Sequence, residues 1–204
     1  MEIDDKIIGL SREYFALPDS VKVTSYDGRA YLNADDRTYD VIMVDAYQDI
    51  TIPFQMSSVE FFTLVKEHLN ENGVMVVNMN MRGTEEGNIN QYLSDTIASV
   101  FDCVETVDVK GSTNRELFAS NNSAMLDVME GNMESLDDVQ LKELMAQVKE
   151  NCTTYEAGTY IMTDDKAPVE LLGMQVIDSL IQDEVQYYKG IYEEQGLRGL
   201  LDIL

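Results

Sequence analysis

The sequence of 204 residues holds a single histidine, His68, and two cysteines, Cys103 and Cys152. One imidazole, set in a helical stretch just before Asn70 and read as a solvated or capping residue, is a poor basis for a Ser-His-Asp hydrolase. The cysteines lie far apart and fit no metal-ligand spacing, so no metal site is expected. They read as two structural, half-buried thiols, and with no secretion signal in view they suggest a reducing, cytoplasmic compartment. Positive charge is scarce: 14 Lys and Arg face 38 Asp and Glu, a formal net charge of −24. A field of that sign repels phosphate backbones and acidic membrane surfaces, which argues against nucleic acid as a partner, and it draws in cations. Long apolar runs are missing as well. None approaches the ~20 residues that a bilayer-spanning helix needs.

What is present suits one domain with a hydrophobic core: 45% of residues are apolar. Residues 5–15 place Ile7, Ile8, Ser11, Tyr14 and Phe15 on one helical stripe, ended by Leu17-Pro18. Residues 21–25 read as a short strand running into Asp27-Gly28. The run 40–46, closed by Asp45, suits a strand buried on both faces. Ser57-Ser58-Val59-Glu60 reads as a capping box in which Ser57 and Glu60 are the reciprocal pair. Phe61, Phe62, Val65 and Leu69 give that helix its apolar face, and Asn72-Gly73 its left-handed stop. Val74–Val77 follows as a buried strand, 89–101 as a helix, and 103–109 and 115–120 as two antiparallel strands about the Gly111–Asn114 turn.

Beyond that turn, 121–134 reads as a surface excursion. A helix at 136–149 carries Leu141, Leu144, Met145 and Val148 on one face, and Thr159–Thr163 is a short strand. Asp164-Asp165 reads as an acidic helix-start signal, and Pro168 opens a helix with Val169, Leu172, Val176, Ile177 and Leu180 turned inward. The tail, 183–204, is a polar then apolar helix whose Tyr187 and Tyr188 read as packing residues. The 12 methionines are scattered and read as core filler.

Strand–helix alternation predicts an α/β fold with a mostly parallel, doubly wound sheet made mixed by an antiparallel pair near the C-terminal end. In such sheets ligands bind beyond the carboxyl ends of the strands. Three acidic points fall there: Glu2, Asp27-Gly28 and Asp45. The first can accept both hydroxyls of a ribose, the second the exocyclic amine of an adenine, and the third lies near whatever is attached to the 5′ carbon. Singly, each is an ordinary turn former or helix cap. In order and at strand ends, they fit an adenosine-type ligand.

At this point the sequence resembles a known family. Glu2-Ile3-Asp4 through Phe15-Ala16-Leu17-Pro18, Asp27–Leu32, Tyr39–Ala46, Ile52-Pro53, Glu60-Phe61-Phe62, Leu69, Gly73–Asn78 and Thr163–Glu170 are similar to the spermidine/spermine synthases. The match is closest to the branch often fused to a membrane-embedded N-terminal segment. The resemblance implies a class I methyltransferase-like, Rossmann-like fold and aminopropyl transfer to a diamine such as putrescine. Decarboxylated S-adenosylmethionine is implied as co-substrate rather than as a resident cofactor. Glu2 would then hold the ribose, Asp27 and Gly28 the adenine, and Asp45 the attacking amine and its proton. Tyr47 and Asp49 would contact the amine substrate, and residues 46–55 would form a lid. The expected partners are small polyamines and nucleosides, a second copy in a homodimer, and a membrane segment in a longer parent.

Three features depart from the family pattern. Its Gly-rich loop and first strand would lie before Met1, so residues 1–204 are expected to be one incomplete catalytic domain, weak in nucleoside binding and impaired alone. Its Asp-Ser-x-Asp-Pro signature is replaced by Asp45-Ala46-Tyr47-Gln48-Asp49-Ile50, and its Gln after the next strand by Asn78. Two other readings stay open here: an S-adenosylmethionine-dependent methyltransferase of the same fold, and a non-catalytic remnant or regulatory module.

Overall fold

The computed structural model describes residues 1–47, 52–80 and 85–201. Short apolar strands alternating with side-chain-capped helices build one five-stranded sheet. In chain order the elements are α1 (Asp5–Tyr14), α2 (Gly28–Asn33), β1 (Tyr39–Val44), α3 (Val59–Glu67), β2 (Leu69–Met79), α4 (Ile89–Ala98), β3 (Cys103–Asp108), β4 (Arg115–Ser120), α5 (Met125–Glu134), α6 (Val139–Asn151), β5 (Thr153–Thr154) and α7 (Val169–Leu201). The strand order is β1-β2-β4-β3-β5.

The sheet is mixed, as expected, but among the described residues antiparallel pairings outnumber the parallel one. Among the described residues, parallel pairing within this sheet is confined to β1 and β2, because β4 inserts between β2 and β3 and runs against both. β2 and β3 therefore point the same way, and α4 carries the chain between them. The tight Gly111 turn, at φ 77°, returns β3 into β4 as the sequence predicts.

Registers show which side of the sheet is filled. Ile42 pairs with Met75 and Val44 with Val77, and these continue to Ala119 and Leu117 on β4. They join Phe61, Phe62 and Val65 of α3 and Leu93 and Ile97 of α4 in the core. The alternate residues behave differently. Val41 and Met43 are 54% and 73% exposed, and their partners Val74 and Val76 are only half-buried. β1 and β2 are thus buried on one face, not on both as expected from their unbroken apolar runs.

Other expectations are corrected where side chains outcompete backbone pairing. Residues 21–25 contribute a single parallel bridge, Ser25 to Glu2. Thr159–Thr163 is not a strand, since its amides are taken by α4: Tyr160 N–H donates to Asp95 Oδ2 (3.0 Å) and Met162 N–H to Thr96 Oγ1 (3.0 Å). Ser58, not Ser57, caps α3, accepting from Phe61 N–H at 3.2 Å. Ser57 instead donates to the Phe54 carbonyl at 2.7 Å. The helix stops at His68, whose ring nitrogens meet the carbonyls of Leu64 (2.8 Å) and Asp35 (2.7 Å). Burial opposes charging that ring, but the two carbonyls outweigh it and raise its pKa. Asn72-Gly73 lies in a bulge of β2, where a Cβ on Gly73 would stand 2.9 Å from the Tyr39 carbonyl.

The supposed surface excursion at 121–134 contains α5, with Met125 buried. On α7, Val169 and Leu172 are buried, while Val176 and Ile177 are half-buried; the Leu180 side chain lies outside those described. The apolar stripe of α1 has no buried member, and Leu141 and Leu144 of α6 are exposed. Both cysteines are free and half-buried, and burial pushes both thiols up.

Asp95 is almost fully buried, and its second oxygen accepts the Tyr155 hydroxyl at 2.7 Å. A Cβ on Gly158 would stand 2.3 Å from Asp95 Oδ2. Gly158→Ala is therefore expected to lower unfolding free energy by about 1–3 kcal/mol, as overpacking does. Denaturant melts of the two proteins measure this, and coincident curves would contradict the docking of 155–162 on α4.

Candidate functional site

Two groups of polar side chains gather the predicted site residues. The first surrounds the start of α2. Glu2 pairs with Ser25, its N–H donating to the Thr24 carbonyl (3.2 Å) and its carbonyl accepting from Tyr26 N–H (3.1 Å). This anchors Glu2 next to the loop that delivers Asp27. One oxygen of Glu2 accepts from Asp4 N–H at 3.0 Å. Asp27 caps α2, its Oδ1 accepting from Ala30 N–H at 2.7 Å. The capping role expected of a lone Asp is real, and it occupies a single oxygen. Gly28 packs at the side of Met56, 3.6 Å from where a Cβ would be.

Arg29 then ties this loop to the rest of the molecule. Its guanidinium forks onto Asp164, Nη1 to Oδ1 at 2.7 Å and Nη2 to Oδ2 at 2.6 Å, and Nη1 also donates to the Gln55 carbonyl at 2.8 Å. Asp164 accepts in addition from the Ser58 hydroxyl at 2.5 Å, while its own N–H donates to Glu60 at 3.0 Å. The fork holds the Asp164 carboxyl below the usual carboxylate range and raises Arg29. Asp164 is therefore a tertiary clamp. It is not the helix-start signal read from the sequence, since α7 begins only at Val169.

The second group sits where β1 and β2 end. Asp45 follows the last residue of β1 and accepts from Asn78 Nδ2 at 3.2 Å. Asn78 Oδ1 accepts in turn from Asn114 Nδ2 at 3.0 Å, so the amide cannot easily rotate. The Tyr47 hydroxyl donates to the Asn78 carbonyl and accepts from Asn80 N–H. Burial pushes its pKa up to about 12, so the phenol stays neutral. Glu116 of β4 is the cross-strand partner of Asn78. Burial and the nearby charge of Asp45 raise its pKa.

The structure thus gathers Glu2 with Asp27 and Gly28, and Asp45 with Tyr47. Asp49, with residues 48–51 of the expected lid, lies outside the described residues. Sequence reasoning missed Arg29, Asn114 and Glu116. Arg29 stood inside a quoted motif, and its partner Asp164 is 135 residues away, beyond the reach of local pattern. Glu116 sat in a strand read only for its alternation.

Comparison with known proteins settles the family. Residues 1–109 match the spermine/spermidine synthase domain. The chain belongs to the spermine/spermidine synthase family. A "Probable polyamine aminopropyl transferase" of Bifidobacterium longum (strain NCC 2705) is 50% identical over 98% of the chain. The chain spans about half, 49%, of that relative's length. Among solved structures, a spermidine synthase in complex with the transition state analogue AdoDATO is 15% identical, with a TM-score of 0.58 over 72% of this chain and 55% of that one. Human methyltransferase-like protein 13 in complex with SAH is 22% identical, with a TM-score of 0.54 over 73% of this chain and 67% of that one. At such identities these two establish the shared α/β fold and nothing finer.

The Arg29–Asp164 fork is partly solvated, with side chains 20% and 41% exposed, so its worth is modest. Asp164→Asn should cost about 1–2 kcal/mol near neutral pH. Because the folded pKa of Asp164 is depressed, that contribution is complete above the ordinary carboxylate range and fades as pH falls through the depressed value. Stability measured from pH 7 down into acid should therefore decline less steeply for the variant than for the wild-type chain. Parallel curves would show that Asp164 carries no such linkage.

Proposed function

We propose that this chain supplies the amine side and the adenosine-facing acids of an aminopropyl transferase. The observation that carries the reading is Asp45, a carboxylate at the carboxyl end of β1 with one oxygen fixed by Asn78. The name and 50% identity of the Bifidobacterium longum relative support it. In this reading Glu2 receives the ribose hydroxyls of decarboxylated S-adenosylmethionine. Asp27, whose second oxygen is not needed for capping, receives the adenine amine beside Gly28. Tyr47 lines the approach of the amine, and Asp49 keeps the substrate-contact role that the family resemblance implies.

The chemistry is a displacement at carbon. A diamine is cationic at neutral pH, so one nitrogen must first lose a proton, and Asp45 takes it. The freed nitrogen attacks the propyl carbon next to the sulfonium. A C–N bond forms as the C–S bond breaks, the electron pair returns to sulfur, and methylthioadenosine leaves. Asn78 keeps the Asp45 carboxylate pointed at the amine without moving a proton itself, as a fixed dipole should.

We place the family's Gly-rich strand along the outer edge of β1, which ends the sheet among the described residues. Its exposed Val41 and Met43 fit a surface that a further parallel strand and its helix would cover. The Bifidobacterium longum relative, about twice the length of the chain, has room for such a strand, and activity is best assayed in a longer protein of that length. The family match and the name of the Bifidobacterium longum relative favour this reading over a methyltransferase of the same fold.

Asp45→Asn in the longer protein should keep the shape and lose the proton acceptor. Methylthioadenosine formation should fall by ~10²–10⁴-fold, with nucleoside affinity little changed. Turnover at the wild-type rate would remove Asp45 from the mechanism.

A further inference from the structure

Asp45, Asn78 and Glu116 form one row across three adjacent strands. The parallel register of β1 and β2 ends with Val44 opposite Val77, so Asp45 comes next, level with Asn78, to which it is hydrogen-bonded. On the other side Asn78 is paired with Glu116 of antiparallel β4. Residues directly opposite on neighbouring strands present their side chains to the same face of a sheet. All three therefore stand on the face opposite the α3–α4 core, continuing the half-open row of Val41, Met43, Val74 and Val76.

The spacing is set by the sheet. Asp45 and Glu116 are two strands apart, which puts their backbones about 10 Å from each other. Between them the Asn78 amide donates to Asp45 and accepts from Asn114, which fixes its orientation. Tyr47 adds no positive charge. Among the described residues, no ion pair and no hydrogen-bond donor meets the Glu116 carboxylate, although the side chain is half-buried. Arg115, the nearest cation in sequence, is committed to Asp108 at 2.6 Å. Burial and the nearby charge of Asp45 make the Glu116 carboxylate costlier to ionise, and a cation bound against it removes that cost.

We propose that Glu116 is the specificity-determining residue of the amine subsite, holding the far ammonium of a short α,ω-diamine while Asp45 holds the nitrogen that reacts. The proposal rests on the aminopropyl-transfer reading only for the identity of the site. It adds the residue that makes the site demand a dication. Glu116 carries no proton in the reaction and touches only the unreactive end of the substrate. A monoamine of equal length lacks the group Glu116 would meet.

The test is titration calorimetry of the full chain with putrescine and with n-butylamine at 0.15 M salt, where general attraction to an acidic surface is screened. Wild-type protein should bind putrescine more tightly than n-butylamine. Glu116→Gln should reduce the ratio of the two affinities roughly tenfold, the loss of one charge-assisted contact. Glu143→Gln, which removes one exposed charge from α6, should leave the ratio unchanged. Glu116→Asp, tried alongside, should restore part of the preference. An unchanged ratio in Glu116→Gln, equal losses for both amines, or the same drop in Glu143→Gln would each overturn the proposal. If methylthioadenosine forms but the ratio ignores Glu116, the function stands and this subsite fails. If the ratio follows Glu116 but no methylthioadenosine forms, the subsite stands and the reaction is misassigned.

Discussion

Arg29 sits where four segments meet: the first turn of α2, the 53–56 turn, the start of α3, and the 163–166 turn. A guanidinium is a planar fork of donors, and here it is matched by a carboxylate that also receives the Ser58 hydroxyl. None of these segments is held by sheet pairing. The loop carrying Asp27 is adjacent in sequence to Arg29, so the clamp also fixes the position of Asp27. The 163–166 turn is brought into reach by the path of 155–162 across α4, which depends on the buried Asp95 and on Thr96. A single ion pair thus closes a circuit from the N-terminal acids to the far end of the domain.

The group around Asp45 obeys a different constraint, the register of the sheet. β1 and β2 run parallel and end together, so Asp45 and Asn78 stand level, and antiparallel β4 brings Glu116 alongside. No loop is needed to align them. The acidic composition fits this arrangement. A net charge of −24 concentrates cations near the whole surface, and the proposed amine subsite lies within that field.

Much of this was legible in the sequence, for reasons that can be named. β1 and β2 announce themselves as apolar runs closed by a polar residue, and Asp45 was placed at a strand end because the run stops there. Glu2 and Asp27 were found as acids in order at expected strand ends, although 21–25 proves to be a single bridge. Periodicity could not tell one buried face from two, since an unbroken apolar strand looks the same when its second face awaits a cover. Local pattern also misassigned Ser57 and Asp164. Both belong to cap-like motifs, and which serine caps, or which acid pairs, is decided by partners such as Arg29 that lie far along the chain. Glu116 was invisible for the same reason: its meaning comes from the strand that inserts beside β2.

The central claim is that an amine nitrogen, deprotonated at Asp45, takes an aminopropyl group from a sulfonium. The most direct measurement is the product made from decarboxylated S-adenosylmethionine and putrescine by the longer protein, read by mass spectrometry. The account predicts methylthioadenosine and an aminopropylated diamine in equal amounts. Release of S-adenosylhomocysteine with S-adenosylmethionine as donor, and no methylthioadenosine with the decarboxylated form, would contradict it.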